Sequence, residues 1–230
     1  DRIFAVVKFE TGPDGRTSLV RFPAHIAHDA ELRSFYREIS ARLCGLQHPH
    51  IIGVQELLDD DYLVVEGLQE AKPLLDIPEN PEDFVRGMFG ALEYAHWRGL
   101  PHRLLNCHCL WLFPGNTVKI WGFGLDYLEE RHGPSELFEA TPTAPYWSPE
   151  HTHHQEPDAR SDIWALGIVL YRWYSGRLPF QSNCLPVLVD RIRSYHPPEP
   201  PGPYADLILR CLEKDPDDRF QSVGEMSRYL

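Results

Sequence analysis

The early part of the chain carries short β-branched and aromatic runs, and the later part repeats its apolar residues at helical spacing, so strands are expected first and helices after them. Residues 3–10 and 16–22 flank Thr11-Gly12-Pro13-Asp14-Gly15, a set of turn formers, which predicts a hairpin. Phe35, Ile39, Leu43 and Leu46 recur at the period of a helix, and His48-Pro49 ends it because proline lacks an amide donor and crowds the preceding turn. Residues 51–58 and 62–66 flank Asp59-Asp60-Asp61 and read as a second hairpin whose acids keep the turn solvated. Phe84, Met88, Leu92 and Ala95 mark the next helix, ended near Gly99, and strands at 110–113 and 117–121 bracket Pro114-Gly115-Asn116. Ile163, Trp164, Leu166, Ile168, Val169, Leu170 and Trp173 leave no polar face, so this helix is expected to be buried all round and to stop at Gly176 and Pro179.

Composition narrows the role. With 230 residues and 43% apolar content the chain is long enough for one or two folded units. Its formal charge of −12 disfavours nucleic acid and anionic membranes. The longest apolar run, within 163–171, is far short of the roughly 20 residues that span a bilayer, and the first residues show no basic-then-apolar leader. Cys44, Cys107, Cys109, Cys184 and Cys211 are odd in number and scattered, which points to a reducing, cytoplasmic setting rather than a disulfide framework.

Several ordered motifs then carry a resemblance. His102-Arg103-Leu104-Leu105-Asn106-Cys107-His108-Cys109 resembles the catalytic loop H-R-D-L-x-x-x-N, and Lys119-Ile120-Trp121-Gly122-Phe123-Gly124 stands where K-I-x-D-F-G belongs. Thr143-Ala144-Pro145-Tyr146-Trp147-Ser148-Pro149-Glu150 resembles the end of an activation segment, Ser161-Asp162-Ile163-Trp164 continues in register, and Cys211-Leu212-Glu213-Lys214-Asp215-Pro216 leads to Arg219. Over nearly its whole length the chain is similar to the eukaryotic-like serine/threonine protein kinases, bacterial ones especially. The resemblance implies a two-lobed α+β fold, a small antiparallel β lobe over 1–68 and a larger helical lobe over 69–230, with the family's glycine-rich loop falling before Ile3.

Phosphoryl transfer relies on placed charges: a lysine on the phosphates, an aspartate and an asparagine on magnesium, an aspartate on the substrate hydroxyl. The resemblance puts Leu104 in the base slot, Asn106 in the slot of a lysine beside the transferred phosphate, Cys109 in the asparagine slot and Gly122 in the metal-binding aspartate slot. None of these supplies the expected charge, and a thiol suits magnesium poorly. Asp126, four residues on, would substitute only along an unusual backbone path. Lys8 precedes Glu38 by thirty residues where the family has about nineteen, so Arg21, seventeen before Glu38, is the candidate for the lysine slot. Its helix partner is Glu38 or Ile39. Leu19 and Trp111 add bulk where adenine would lie, and Val65 and Glu66 occupy the gatekeeper and first hinge slots. Groups that hold the fold are kept: Asp162 for the catalytic-loop amides, Glu150 for Arg219, and His102 with Phe123 and Leu43 for the regulatory spine.

Plainer readings cover the remaining clusters. Cys107-His108-Cys109 with His102 lacks the paired spacing of structural zinc, and His151-Thr152-His153-His154 reads as a solvated loop. Arg103 would dock a phosphate on Ser135, Thr141 or Thr143, but Asp126, Glu129, Glu130, Glu136 and Glu139 could neutralise it, which favours the unphosphorylated reading. Trp147, Trp164 and Trp173 read as core. The expectation is a pseudokinase, not an enzyme, with no metal and with weak or absent ATP and magnesium binding. It would act as a scaffold, sensor or allosteric regulator on a protein partner, a true kinase or another signalling protein. The alternatives are a residual or nonstandard kinase, or a transferase that turns the nucleotide round, and a nucleotide-sensing module without turnover. The partner surface is expected around Trp147 and along 181–203, where Leu185, Val187, Leu188, Val189 and the stiff Pro197-Pro198-Glu199-Pro200-Pro201 lie, unless these residues pack under a helix.

Overall fold

The computed structural model describes residues 8–12, 16–21, 30–59, 62–75, 77–78, 81–125 and 143–230. Residues 3–7, Pro13, Asp14, Gly15, Phe22, Asp60, Asp61, Asp126, Glu129, Glu130, Ser135, Glu136, Glu139 and Thr141, which entered the expectations above, lie outside them.

The first hairpin forms from β1 (Lys8–Thr11) and β2 (Thr17–Arg21), and the second from β3 (Val54–Leu58) and β4 (Tyr62–Glu66). The four strands make one antiparallel sheet in the order β1-β2-β4-β3, with Val20 opposite Leu63 and Ser18 opposite Val65. Between the hairpins runs α1 (Ala30–Cys44), whose buried residues Leu32, Tyr36, Ile39, Ser40 and Leu43 fall on one helical stripe. A short β5 (Lys72–Pro73), which no pattern in the sequence announced, joins β6 (Leu110–Phe113) and β7 (Thr117–Ile120) in a second sheet. The segment before β3 ties the two sheets together: Ile51 bridges Ile120, and Ile120 exchanges backbone bonds of 2.9 Å with His50 and Ile52.

Helices build the larger part. Phe84, Met88, Leu92 and Ala95 of α2 (Pro81–Trp97) are buried, and Glu82 and Asp83 lie in its first turn, where the amide ends favour negative charge. After α3 (Pro149–Thr152) comes α4 (Ala159–Ser175), capped by the Asp158 carboxylate on the Arg160 amide. Ten consecutive α4 residues, from Asp162 to Tyr171, are buried, so α4 is the apolar axle that the sequence led one to expect. Then follow α5 (Leu185–Ser194), which packs on α3, α6 (Ala205–Cys211), which packs on α4, and α7 (Val223–Met226), which packs on α2. The fold is thus α+β and two-lobed, with a small antiparallel sheet and a larger helical part. Among the described residues no helix is long and apolar enough to cross a membrane.

One buried ion pair ties α3 to the loop before α7. Both Glu150 oxygens accept Arg219 nitrogens at 2.8 Å, the Ser161 hydroxyl adds a 2.6 Å bond, and the guanidinium lies 5.0 Å from the Trp164 ring. Burial alone would raise the Glu150 pKa; the Arg219 bonds and charge, with Ser161, outweigh it and hold the group at about 2 against an ordinary 4.5. In urea, Arg219→Ala is expected to lose about 3–5 kcal/mol, because the Glu150 charge stays buried without its partner. In the unaltered chain a carboxyl whose folded pKa is depressed stabilises fully above about pH 4.5, and this contribution disappears as the pH falls towards 2, which an acid-unfolding series of the two proteins measures.

Candidate active site

The catalytic loop hangs on a carboxylate from α4. Asp162 Oδ2 accepts the His102 amide at 2.7 Å and His96 Nε2 at 2.7 Å, and Oδ1 accepts the Arg103 amide at 2.6 Å. Burial on its own would raise this acid, but the His96 hydrogen bond and the neighbouring histidine charges and amides hold it below its ordinary value. Arg103 takes a positive φ of 71° to present its amide. His102 is buried, which lowers its pKa and keeps it neutral; Nε2 carries the proton, since its 2.9 Å partner is the Trp121 carbonyl. The ring lies 4.9 Å from Phe123, which belongs to the same buried core as Leu43.

The loop that follows is closed on itself. Asn106 Nδ2 donates to the Leu104 carbonyl at 2.8 Å, its Oδ1 accepts the His108 amide at 2.9 Å, and Cys109 Sγ donates to the same Leu104 carbonyl at 3.7 Å. Asn106 is therefore the cap of the Cys107–Cys109 turn. Gly122 sits at φ 99°, a conformation costly for other residues, and a Cβ there would meet the His102 ring at 3.8 Å. In the two slots that the family uses for magnesium, Gly122 offers no side-chain oxygen and Cys109 a soft sulfur. No group of three or more His, Cys, Asp or Glu among the described residues is arranged to hold a metal ion.

The strand side of the cleft corrects the lysine slot. Ser18 and Val20 are buried, Leu19 is half-buried and Arg21 is exposed, with its guanidinium 5.6 Å from the Tyr62 ring. Side chains alternate along a strand, so Val20 rather than Arg21 is on the inner face, and Ser18 rather than Leu19 stands two residues before it. On α1, Ile39 is buried and Glu38 exposed, and Val20 precedes Ile39 by nineteen residues, the spacing the family keeps between lysine and glutamate. Two apolar side chains thus stand where an ion pair was sought. Val65 is buried opposite Ser18. Glu66 turns away to Lys119 at 2.5 Å and to the Gly53 amide at 2.8 Å. Trp111, half-buried, stands between Pro73 and Lys119 in the second sheet.

Beyond β4 the connecting segment is fastened to β2. The Leu68 amide donates to Ser18 Oγ at 3.0 Å, Gln69 Nε2 donates to the Thr17 carbonyl at 2.8 Å, and a Cβ at Gly67 would collide with the Arg16 carbonyl oxygen. Neither these contacts nor the His96 bond to Asp162 has a local sequence signal, because each joins distant positions. Arg103 reaches Glu156 at 3.1 Å, a carboxylate not considered in the sequence. His151 is not solvated: its Nδ1 bonds the Ser148 hydroxyl at 2.7 Å in a capping box, whereas His153 and His154 are exposed. Trp164 and Trp173 are core, and Trp147 is half-buried.

Residues 22–227 match the family described as protein kinase domain, and the chain belongs to that family. It is similar to a probable serine/threonine-protein kinase of Streptomyces coelicolor, 30% identical over 88% of this chain and 34% of the relative. The serine/threonine-protein kinase PknB of Mycolicibacterium smegmatis is 29% identical over 90% of this chain and 37% of its own length. A probable serine/threonine-protein kinase of Clostridium acetobutylicum is 27% identical over 84% and 32%. The chain spans about a third of the length of these relatives. They correct one expectation: relatives named as kinases over most of the chain point to an enzyme, not to a protein without activity.

The reassigned slot is testable by stability. Val20→Lys is expected to cost at least about 3 kcal/mol by burying an unpaired charge. Adding Ile39→Glu should return about 0.5–3 kcal/mol in a double-mutant cycle. Arg21→Lys, on the exposed face, should stay within about 0.5 kcal/mol in the same urea titrations.

Proposed function

We propose that the chain is a protein kinase domain of the bacterial serine/threonine type that transfers phosphoryl groups from ATP weakly and by a nonstandard arrangement, and that binds a protein partner through its helical lobe. The observation that carries the reading is the intact carrier of the catalytic loop, Asp162 with the His102 and Arg103 amides, in a chain whose relatives are named kinases. Leu104, Cys109, Gly122 and Val20 in the charged slots account for weak activity and weak nucleotide binding. Among the described residues the five cysteines form no disulfide, which suits a reducing, cytoplasmic setting.

The partner surface in this reading is the outer side of α5 and the turn after it. Val187 and Tyr195 are 44% and 48% exposed, while Leu188 and Ile192 of the same segment are fully buried. Pro197 and Pro200 are also buried, so the proline-rich stretch presents only Pro198, Glu199 and Pro201. Leu188 accordingly belongs to the core.

Transfer of radiolabelled phosphate from ATP to a basic protein substrate tests the enzyme reading. Without a base at 104, turnover is expected at least about 100-fold below the roughly 1–100 s⁻¹ of ordinary kinases. Incorporation no greater than with heat-denatured protein would sink the kinase reading, and an ordinary rate would sink the nonstandard one. For the surface, Val187→Asp should change unfolding stability by no more than about 0.5 kcal/mol. Leu188→Ala should lose about 2–5 kcal/mol. Comparable losses for the two would mean that the outer side of α5 is not a free surface.

A further inference from the structure

Among the described residues the most exposed large apolar side chain is Trp97, 80% exposed at the end of α2. Arg98 follows it, with its guanidinium 5.6 Å from the Trp97 ring and 4.9 Å from the half-buried Tyr94 ring. Arg98 Nη1 donates to the Gly45 carbonyl at 3.2 Å, and Arg42 Nη2 donates to the Gly99 carbonyl. The two arginines thus cross over, each reaching the backbone just beyond the end of the other's helix. Since Gly45 closes the turn begun at Arg42 and Gly99 directly follows Arg98, both charges stand at one corner beside Trp97. Carbonyls at helix ends attract cations without neutralising them. Among the described residues no carboxylate pairs with Arg42 or Arg98, and each guanidinium spends a single N–H of its fork on its carbonyl. Glu93, on the same helix as Trp97, is directed to Gly224 of α7. In a chain of formal charge −12, this corner is of opposite sign to the whole.

We propose that Trp97, Arg98 and Arg42, backed by Tyr94, form a docking site for an acidic peptide segment: carboxylates meet the two guanidiniums, and an apolar side chain lies on the Trp97 ring. Charge complementarity selects this occupant. A carboxylate matches the planar fork of an arginine and takes two of its N–H groups at once. The extended negative field of an anionic membrane would instead be repelled by the remainder of the chain, and a second copy would bring the same repulsion. Tryptophan, tyrosine and arginine are also the side chains that carry most of the energy at protein contacts. Arg98 is already held between two rings and a carbonyl, so docking orders it at little cost. The site stands apart from the kinase reading, since it needs neither nucleotide nor turnover.

The test uses the whole chain as wild type, Trp97→Ala, Arg98→Ala, Arg98→Lys and Arg42→Ala. Each is titrated, up to about 1 mM, into a dye-labelled synthetic peptide of glutamates around a central leucine and into its glutamine counterpart, with anisotropy as the readout. Of the six tryptophans only Trp97 is exposed, so protection from acrylamide quenching in the wild type locates the bound peptide. The glutamate peptide should bind, protect Trp97 and weaken as salt is raised, and the glutamine peptide should not bind. Trp97→Ala and Arg98→Ala should each weaken binding at least about fivefold, and Arg42→Ala by a smaller factor. Arg98→Lys, which keeps the charge and loses the fork, should fall between wild type and Arg98→Ala. Trp97→Ala should leave the urea midpoint unchanged, and it carries the test if the arginine variants lose stability with their carbonyl bonds. No binding of the glutamate peptide, equal binding of the glutamine peptide, or wild-type affinity in both Trp97→Ala and Arg98→Ala overturns the proposal. Protection of Trp97 by phosphatidylserine vesicles, or by raising the concentration of the chain itself, with none from the peptide, overturns it as well and assigns the corner to a membrane or to a second copy.

Discussion

Asp162 sits in the first turn of a helix that is buried on every side, and its carboxylate has no route to water. A charge in that position destabilises the protein unless donors come to it. Three do: the His102 and Arg103 amides from the catalytic loop and the His96 ring from the end of α2. The loop between α2 and β6 is therefore folded around an acceptor supplied from elsewhere in the chain. Its path depends on backbone amides, not on the side chain carried at 104. This is why the fold of the loop tolerates an apolar residue at Leu104.

A second anchor has the same logic. Glu150 and Arg219 neutralise one another, and Trp164, stacked on Phe180 at 5.5 Å, spreads a π surface beneath both Arg219 and Lys214. Lys214, pressed between these rings and beside Arg219, is driven down to about 8, burial being the larger cause. The helical lobe thus gathers its charged groups onto the helix that is most apolar.

The elements with a strong period were readable from sequence. α1, α2, α4 and the hairpins follow from apolar spacing, turn residues and helix stops, and the family motifs located Asp162, Glu150 and Arg219. What stayed unreadable depends on pairing between distant positions. Ser18-Leu19-Val20-Arg21 offers a basic residue near the lysine spacing, yet which side chains face inward is decided by the register of β2 on β4, and one residue of slip reverses the answer. A two-residue strand such as Lys72–Pro73 has no pattern at all, and the bonds from His96 to Asp162 and from Leu68 to Ser18 join groups 66 and 50 residues apart. Along 181–203 the composition showed apolar residues but not their direction, which the turn of α5 settles by burying Leu188 and exposing Val187.

The close approach of the Arg16 carbonyl to Gly67 has a mechanical meaning. The pairing of β2 with β4 extends to Thr17 and Glu66, so the contact continues a hydrogen-bonded ladder. A ladder does not slide by fractions of a residue: its bonds hold in register or separate, and the next register that keeps the same face inward lies two residues away. The edge of β2 consequently has no graded position against β4. The pair behaves as a latch with a shut position and a released one, giving way at a threshold and not as a spring.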